Sequence, residues 1–113
     1  MNTSTLLGYA RVSTSAQDTA LQLDALYGVG VERVWEDSMT GSVIDRPGLT
    51  DLLGYAREGD VVVVYSISRV SRSVRDFLRL ADDLRERGIG LRSLTEPVDT
   101  SSASPVAGFT LTL

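Results

Sequence analysis

Val61-Val62-Val63-Val64-Tyr65-Ser66-Ile67 is a near-continuous β-branched and apolar run. It lacks the polar alternation of a strand with one wet face, which is the pattern of a strand buried on both faces of a parallel sheet. The run predicts a strand over 61–67. Upstream, Leu6 to Val12 reads as a first strand, followed by a helix over Asp18 to Tyr27 carrying Leu21, Leu23 and Leu26. Glu32 to Glu36, around Val34 and Trp35, reads as a second strand. A polar, glycine-containing loop from Asp37 to Asp45 leads to Pro47, which suits the first turn of a helix holding Leu49, Leu52, Leu53 and Ala56. Downstream, Ser73 to Arg87 is the clearest helix, Gly88 stands where a C-terminal cap is expected, and Leu91 to Leu94 is a last short strand. Strands separated by helices of about ten residues or more form right-handed crossovers. The expected fold class is therefore α/β, a mostly parallel central sheet flanked by helices. It occupies residues 1–103 as one domain. Ser104-Pro105 looks like a helix start, with Val106, Phe109 and Leu113 on one face. Residues 104–113 are expected to begin a longer, truncated helix.

The chain has 113 residues, enough for a single domain with a sizeable core. It contains no Cys and no His, which removes thiolate nucleophiles, disulfides, Cys/His zinc sites and histidine acid–base catalysis. All 11 basic residues are Arg, so lysine Schiff bases and a P-loop lysine are also removed. Residues 1–5 carry no basic residue, and the longest apolar run, Val61 to Val64, is far too short to span a bilayer. A cytoplasmic protein without membrane partners is expected. The net charge of −4 argues against a free-standing nucleic-acid binder. The distribution argues differently: residues 61–79 hold four Arg and one acid, while residues 1–60 hold four Arg and nine acids.

In open α/β sheets ligands bind beyond the carboxyl ends of the strands. The residues at those ends are Arg11, Ser13, Thr14, Ser15 and Gln17 after the first strand; Asp37, Ser38, Thr40 and Gly41, then Arg46, after the second; and Ser66, Ser68, Arg69, Ser71 and Arg72 after the third. Singly, each has a plain explanation. Ser13 alone reads as a capping or turn serine, and Arg11 and Arg46 as surface or ion-paired arginines. At about 100° per residue, however, Val74, Phe77, Leu78, Ala81 and Leu84 fall on one face of the long helix, with Arg72, Arg75 and Arg79 opposite. Such a stripe is usually a solvated face, but this one, with Arg75 and Arg79, lacks interleaved acids at most positions. A hydroxyl beside several arginines, without His, Cys or Lys, suits serine attack on a phosphodiester, the arginines stabilising the transition state.

Gly8-Tyr9-Ala10-Arg11-Val12-Ser13-Thr14 with Gln17 resembles the opening signature of the serine recombinase family, the resolvases and invertases. The resemblance continues through Asp37, Gly41, Arg46-Pro47-Gly48-Leu49, Ser68-Arg69-Val70-Ser71-Arg72-Ser73 and Arg92-Ser93-Leu94-Thr95-Glu96, over essentially the whole chain. It implies the catalytic domain of a bacterial or phage-encoded site-specific recombinase. Ser13 is then the nucleophile forming a 5′-phosphoserine link, Arg11, Arg46, Arg69 and Arg72 hold the phosphate, and Gln17, Gln22 and Asp37 support them. The resemblance implies no metal and no cofactor, double-stranded DNA as partner, and a homodimer that pairs as a homotetramer. The helix begun at Pro105 would serve dimerisation. Two departures stand out: the family usually has Asp where this chain has Ser68, and an active-site Lys found in many members falls near Tyr55. A catalytically weakened relative acting as a DNA-bound partner is the alternative that Ser68 raises. A flavodoxin- or receiver-like binding module is a second, countered by the arginine and serine, rather than acids, at the first strand's end.

Overall fold

The computed structural model describes residues 5–12, 14–38, 46–96 and 98–100. The four valines Val61–Val64 form β3, the middle strand of a five-stranded sheet. Around it stand β1 (Leu6–Val12), β2 (Arg33–Ser38), β4 (Gly90–Ser93) and β5 (Val98–Asp99) in the order β2-β1-β3-β4-β5. The first four strands pair in parallel, and β5 runs antiparallel to β4.

The four valines of β3 explain the layering. Val62 and Val64 join a core under α2 (Pro47–Tyr55) and α3 (Val74–Glu86), with Leu52, Ala56, Phe77, Ala81 and Leu84. Val61 and Val63 face the other way, into a smaller core under α1 (Ala16–Gly28) with Leu26, Ala10 and Val31. Each strand residue thus buries its side chain against a helix, worth about 1.5–3 kcal/mol per valine. The sheet lies between two helices on one face and one on the other.

Several element ends differ from the sequence expectation, each for a local reason. β3 stops at Val64 rather than Ile67. The Ile67 N–H donates to the Glu96 carboxylate at 3.0 Å instead of to a neighbouring strand, and Ile67–Arg69 folds into a 3-10 turn. β2 extends to Ser38 because its pairing with β1 runs through Val12 opposite Ser38. α1 begins at Ala16, earlier than expected, since Ser15 Oγ accepts from the Asp18 N–H. Val74, expected on the apolar face of α3, is 49% exposed; the buried stripe begins one turn later at Phe77. β5 has no signal of its own and exists through its pairing with β4. The expected helix from Ser104 through Leu113, and Thr40 and Gly41 of the polar loop, lie outside the described residues. No helix among the described residues is long and apolar enough to cross a membrane.

α3 is capped at both ends, at Gly88 as the sequence leads one to expect and at Ser73 as the structure adds. Ser73 Oγ accepts from the Asp76 N–H at the start of α3, and Gly88 takes φ +76° just past its end. The Arg87 guanidinium reaches across to the Leu53 and Ala56 carbonyls, closing the C-terminal end of α2.

Gly48, in the first turn of α2, lies against the end of β2. A Cβ there would run into the Glu36 carbonyl and come within 2.9 Å of Asp37 Oδ1. Gly48→Ala is expected to destabilise the chain by about 1–3 kcal/mol, as overpacking does. The urea unfolding midpoint checks this.

Candidate active site

Tyr9 and Arg11 alternate with Ala10 along β1 and face the same side of the sheet, Tyr9 within the larger core. Tyr9 is fully buried and donates its hydroxyl to Asp37 Oδ2 at 2.7 Å. Burial first, and then the Asp37 carboxylate, push the Tyr9 phenol well above its ordinary value, so it remains a neutral donor. Asp37, at the end of β2, is itself buried and accepts the Gly48 N–H on Oδ1 at 2.7 Å and the Leu49 N–H on Oδ2 at 2.9 Å. α2 has no acid in its first turn, and Arg46 makes no side-chain cap. Asp37 supplies that charge from a neighbouring strand. Arg46 is left to reach over the site, where Nη1 donates to the Val70 carbonyl at 2.6 Å.

A second set of contacts fixes Arg11 and Arg69. Gln22, fully buried on α1, donates to the Arg11 carbonyl at 3.1 Å and accepts from the Arg11 N–H at 3.3 Å. Its amide also donates to Asp18 Oδ2 at 3.0 Å. The other Asp18 oxygen meets Arg69 Nη2 at 2.6 Å. Arg11 is 8% exposed as a residue, and its Nε is buried without a hydrogen-bond partner among the described residues. A buried donor without a partner carries a desolvation cost that an acceptor would remove.

Arg11, Gln22, Asp37, Arg46 and Arg69 are therefore gathered at one end of the sheet, at the carboxyl ends of β1 and β2 and just beyond β3. Ser13 lies outside the described residues; in the chain it follows Val12, the last residue of β1. Gln17 is exposed on the first turn of α1. Arg72 is exposed and, with Arg46 and Arg79, lines a hollow of about 400 Å³ that Asp76 and Asp83 also line. Two carboxylates thus offset part of that basic patch. Arg75 is exposed on α3 outside this lining. Tyr55, at the position near which many family members carry Lys, is turned elsewhere. Its ring lies 5.1 Å from Trp35, and its hydroxyl reaches Glu32, ahead of the amino end of β2.

Three contributors were not singled out from sequence. Tyr9 reads as one more apolar strand residue, Asp18 as an ordinary first-turn acid, and Glu96 as a loop carboxylate. Glu96 Oε1 accepts from the Ile67 N–H, Ser93 Oγ and Thr95 Oγ1, which sets the turn leading to Arg69.

A mostly parallel sheet with arginines collected at its carboxyl ends defines an arginine-centred α/β domain. The profile of the family "Resolvase, N terminal domain" matches residues 6–112. The chain belongs to that family. It is 47% identical over 97 residues to the serine recombinase gin of Escherichia phage Mu, covering 86% of this chain and 50% of that protein. It is 39% identical over 98 residues to the transposon Tn917 resolvase of Enterococcus faecalis, covering 87% and 53%. Among solved structures it resembles the C-terminal catalytic domain of ISC1926 TnpA, an IS607-like serine recombinase, with a TM-score of 0.65 and 26% identity over 79% of this chain and 66% of that one. The chain spans about half the length of the curated relatives it matches.

Desolvation pushes the Glu96 carboxyl up, but the hydrogen bonds from Ser93, the Ile67 N–H and Thr95 outweigh it and hold the group below its ordinary 4.5. Folding therefore favours the ionised form. The contribution is complete above the ordinary value and is lost as pH falls through the lower folded value. The stability gap between wild type and Glu96→Gln should be constant from neutrality to about pH 5 and close at lower pH, as measured by urea unfolding.

Proposed function

We propose that this chain is the catalytic domain of a site-specific serine recombinase, which cleaves and rejoins double-stranded DNA through Ser13. The observation that carries this reading is Arg11: a buried arginine with an unpartnered Nε among the described residues, two residues before Ser13 in the chain and beside Arg69. The named activity of the relatives, which cover this domain at 39–47% identity, supports the same reading.

Ser13 Oγ forms a bond to the scissile phosphorus while the bond from phosphorus to the 3′ oxygen breaks. The serine proton passes to solvent or to the leaving oxygen, and the products are a 5′-phosphoserine ester and a 3′ hydroxyl. The arginines neutralise charge on the five-coordinate phosphorus, where a preorganised donor is worth about 3–4 kcal/mol. The ester keeps the energy of the broken bond, so attack by a new 3′ hydroxyl reverses the step without ATP. Arg11, Arg46, Arg69 and Arg72 are assigned to the phosphate, Gln17, Gln22 and Asp37 to their support, and Arg75 and Arg79 to the flanking DNA. Exchange between duplexes requires dimers that pair as a tetramer. Ser68, which has no charge to offer Arg69, favours a weakened relative as the second reading.

A suicide DNA substrate tests both. The full-length protein should form a covalent protein–DNA adduct that Ser13→Ala abolishes; no adduct at all would leave the weakened relative. Arg69→Ala and Arg72→Ala should each slow adduct formation by roughly a hundredfold or more, with unfolding midpoints nearly unchanged.

A further inference from the structure

We propose that Asp18, on the first turn of α1, is the residue that positions the Arg69 guanidinium for phosphate, in a chain whose position 68 carries no carboxylate. The inference rests on the recombinase reading above and adds a residue to it.

The geometry is specific. Asp18 uses its two oxygens on different partners: Oδ2 accepts from Gln22 Nε2 at 3.0 Å, and Oδ1 meets Arg69 Nη2 at 2.6 Å. Gln22 is fully buried and is held in turn by both backbone groups of Arg11. The Asp18 N–H is capped by Ser15 Oγ at 3.2 Å, which fixes the backbone from which the carboxylate projects. The carboxylate therefore belongs to a relay that runs Arg11 backbone, Gln22, Asp18, Arg69. It sets the Arg69 fork relative to Arg11 across 58 positions of sequence. Arg69 Nη1 also approaches the Arg11 carbonyl at 3.5 Å, so the two arginines share a frame. Ser68 offers no alternative, because it is exposed and its hydroxyl lies 3.0 Å from Ser66 Oγ.

The Asp18 and Arg69 side chains are 17% and 22% exposed, so the pair is neither a solvated surface bridge nor a fully buried one. Its effect lies in geometry. An arginine on a flexible stem loses rotamer freedom when it grips a phosphate, and a guanidinium already tethered by a fixed carboxylate has less freedom to lose. Asp18 acts through Arg69 and is a positioning residue.

The test is single-turnover cleavage of a suicide DNA substrate by the full-length protein over a range of DNA concentrations. Asp18→Ala should lower the plateau rate by about tenfold or more. The half-saturating DNA concentration should stay within about twofold, because Asp18 itself makes no contact with DNA. Asp18→Ala combined with Arg69→Ala should be no slower than Arg69→Ala alone, since two changes acting through one group are not additive. Asp18→Asn, which keeps the shape and the capped backbone but loses the charge, replaces Asp18→Ala if the alanine variant is unfolded by circular dichroism, and the same loss is expected. A plateau rate at the wild-type level, or a fully additive loss in the double variant, overturns the inference. If the wild-type protein forms no Ser13-dependent adduct, the recombinase reading falls and this inference falls with it. A normal wild-type adduct with unaltered Asp18 variants overturns this inference alone.

Discussion

Asp37 has two carboxylate oxygens and places both on donors at the junction of three elements. The Gly48 and Leu49 N–H groups are among the orphan donors that every helix leaves at its start, and Pro47 and Arg46 supply no side chain to satisfy them. Charge-assisted bonds of this kind are worth about 1.5–3 kcal/mol each. The third donor, the Tyr9 hydroxyl, comes from the core of β1. One buried carboxylate thereby joins β1, β2 and α2, and it requires glycine at 48 because the approach leaves no room for a Cβ. Removing the carboxylate would strand a buried phenol and two helix donors together, a larger loss than any single bond.

The arginines stand on that frame. Because α2 is capped from β2, Arg46 can extend to the Val70 carbonyl, the residue directly after Arg69. Glu96 holds the other end of the same 3-10 turn through the Ile67 N–H. The turn is thus clamped from α2 on one side and from the loop after β4 on the other, with Asp18 fixing the side chain that emerges between them. Each clamp is a polar contact to a backbone group or a guanidinium, so the position of Arg69 depends on directional bonds more than on apolar packing.

This division explains what could be read from the sequence. The strands and helices were legible because burial imposes a period: β3 must be apolar on both faces, and α3 repeats Phe77, Ala81 and Leu84 under an acidic and basic exterior. The strand-end rule likewise pointed to Arg11, Asp37 and Arg69. Tyr9 and Glu96 stand in stretches that carry the family resemblance, but their roles, like that of Asp18, lie in partners 28, 29 and 51 positions away that the local sequence does not show. β5 escaped for a related reason: two residues cannot display a period, and Val98–Asp99 is extended only because β4 offers an edge. β3 ends before its apolar run does because the Glu96 carboxylate takes the Ile67 N–H that a strand partner would otherwise receive.

The charge of the chain then takes on a physical meaning different from its sum. An acidic exterior repels a phosphate backbone at long range, with screening setting in over about 10 Å at ordinary salt. Inside that distance the local groups decide. Asp18 takes one arm of Arg69 and a carbonyl takes one arm of Arg46, while the buried Arg11 presents an Nε that no described residue answers. Burying a guanidinium without full compensation is costly and is tolerated where a ligand completes it. A phosphate is an anion of the right geometry, since its oxygens accept the paired N–H groups of a guanidinium fork. The acidic exterior and the buried arginine donor thus act at different ranges, the first through summed charge and the second through geometry.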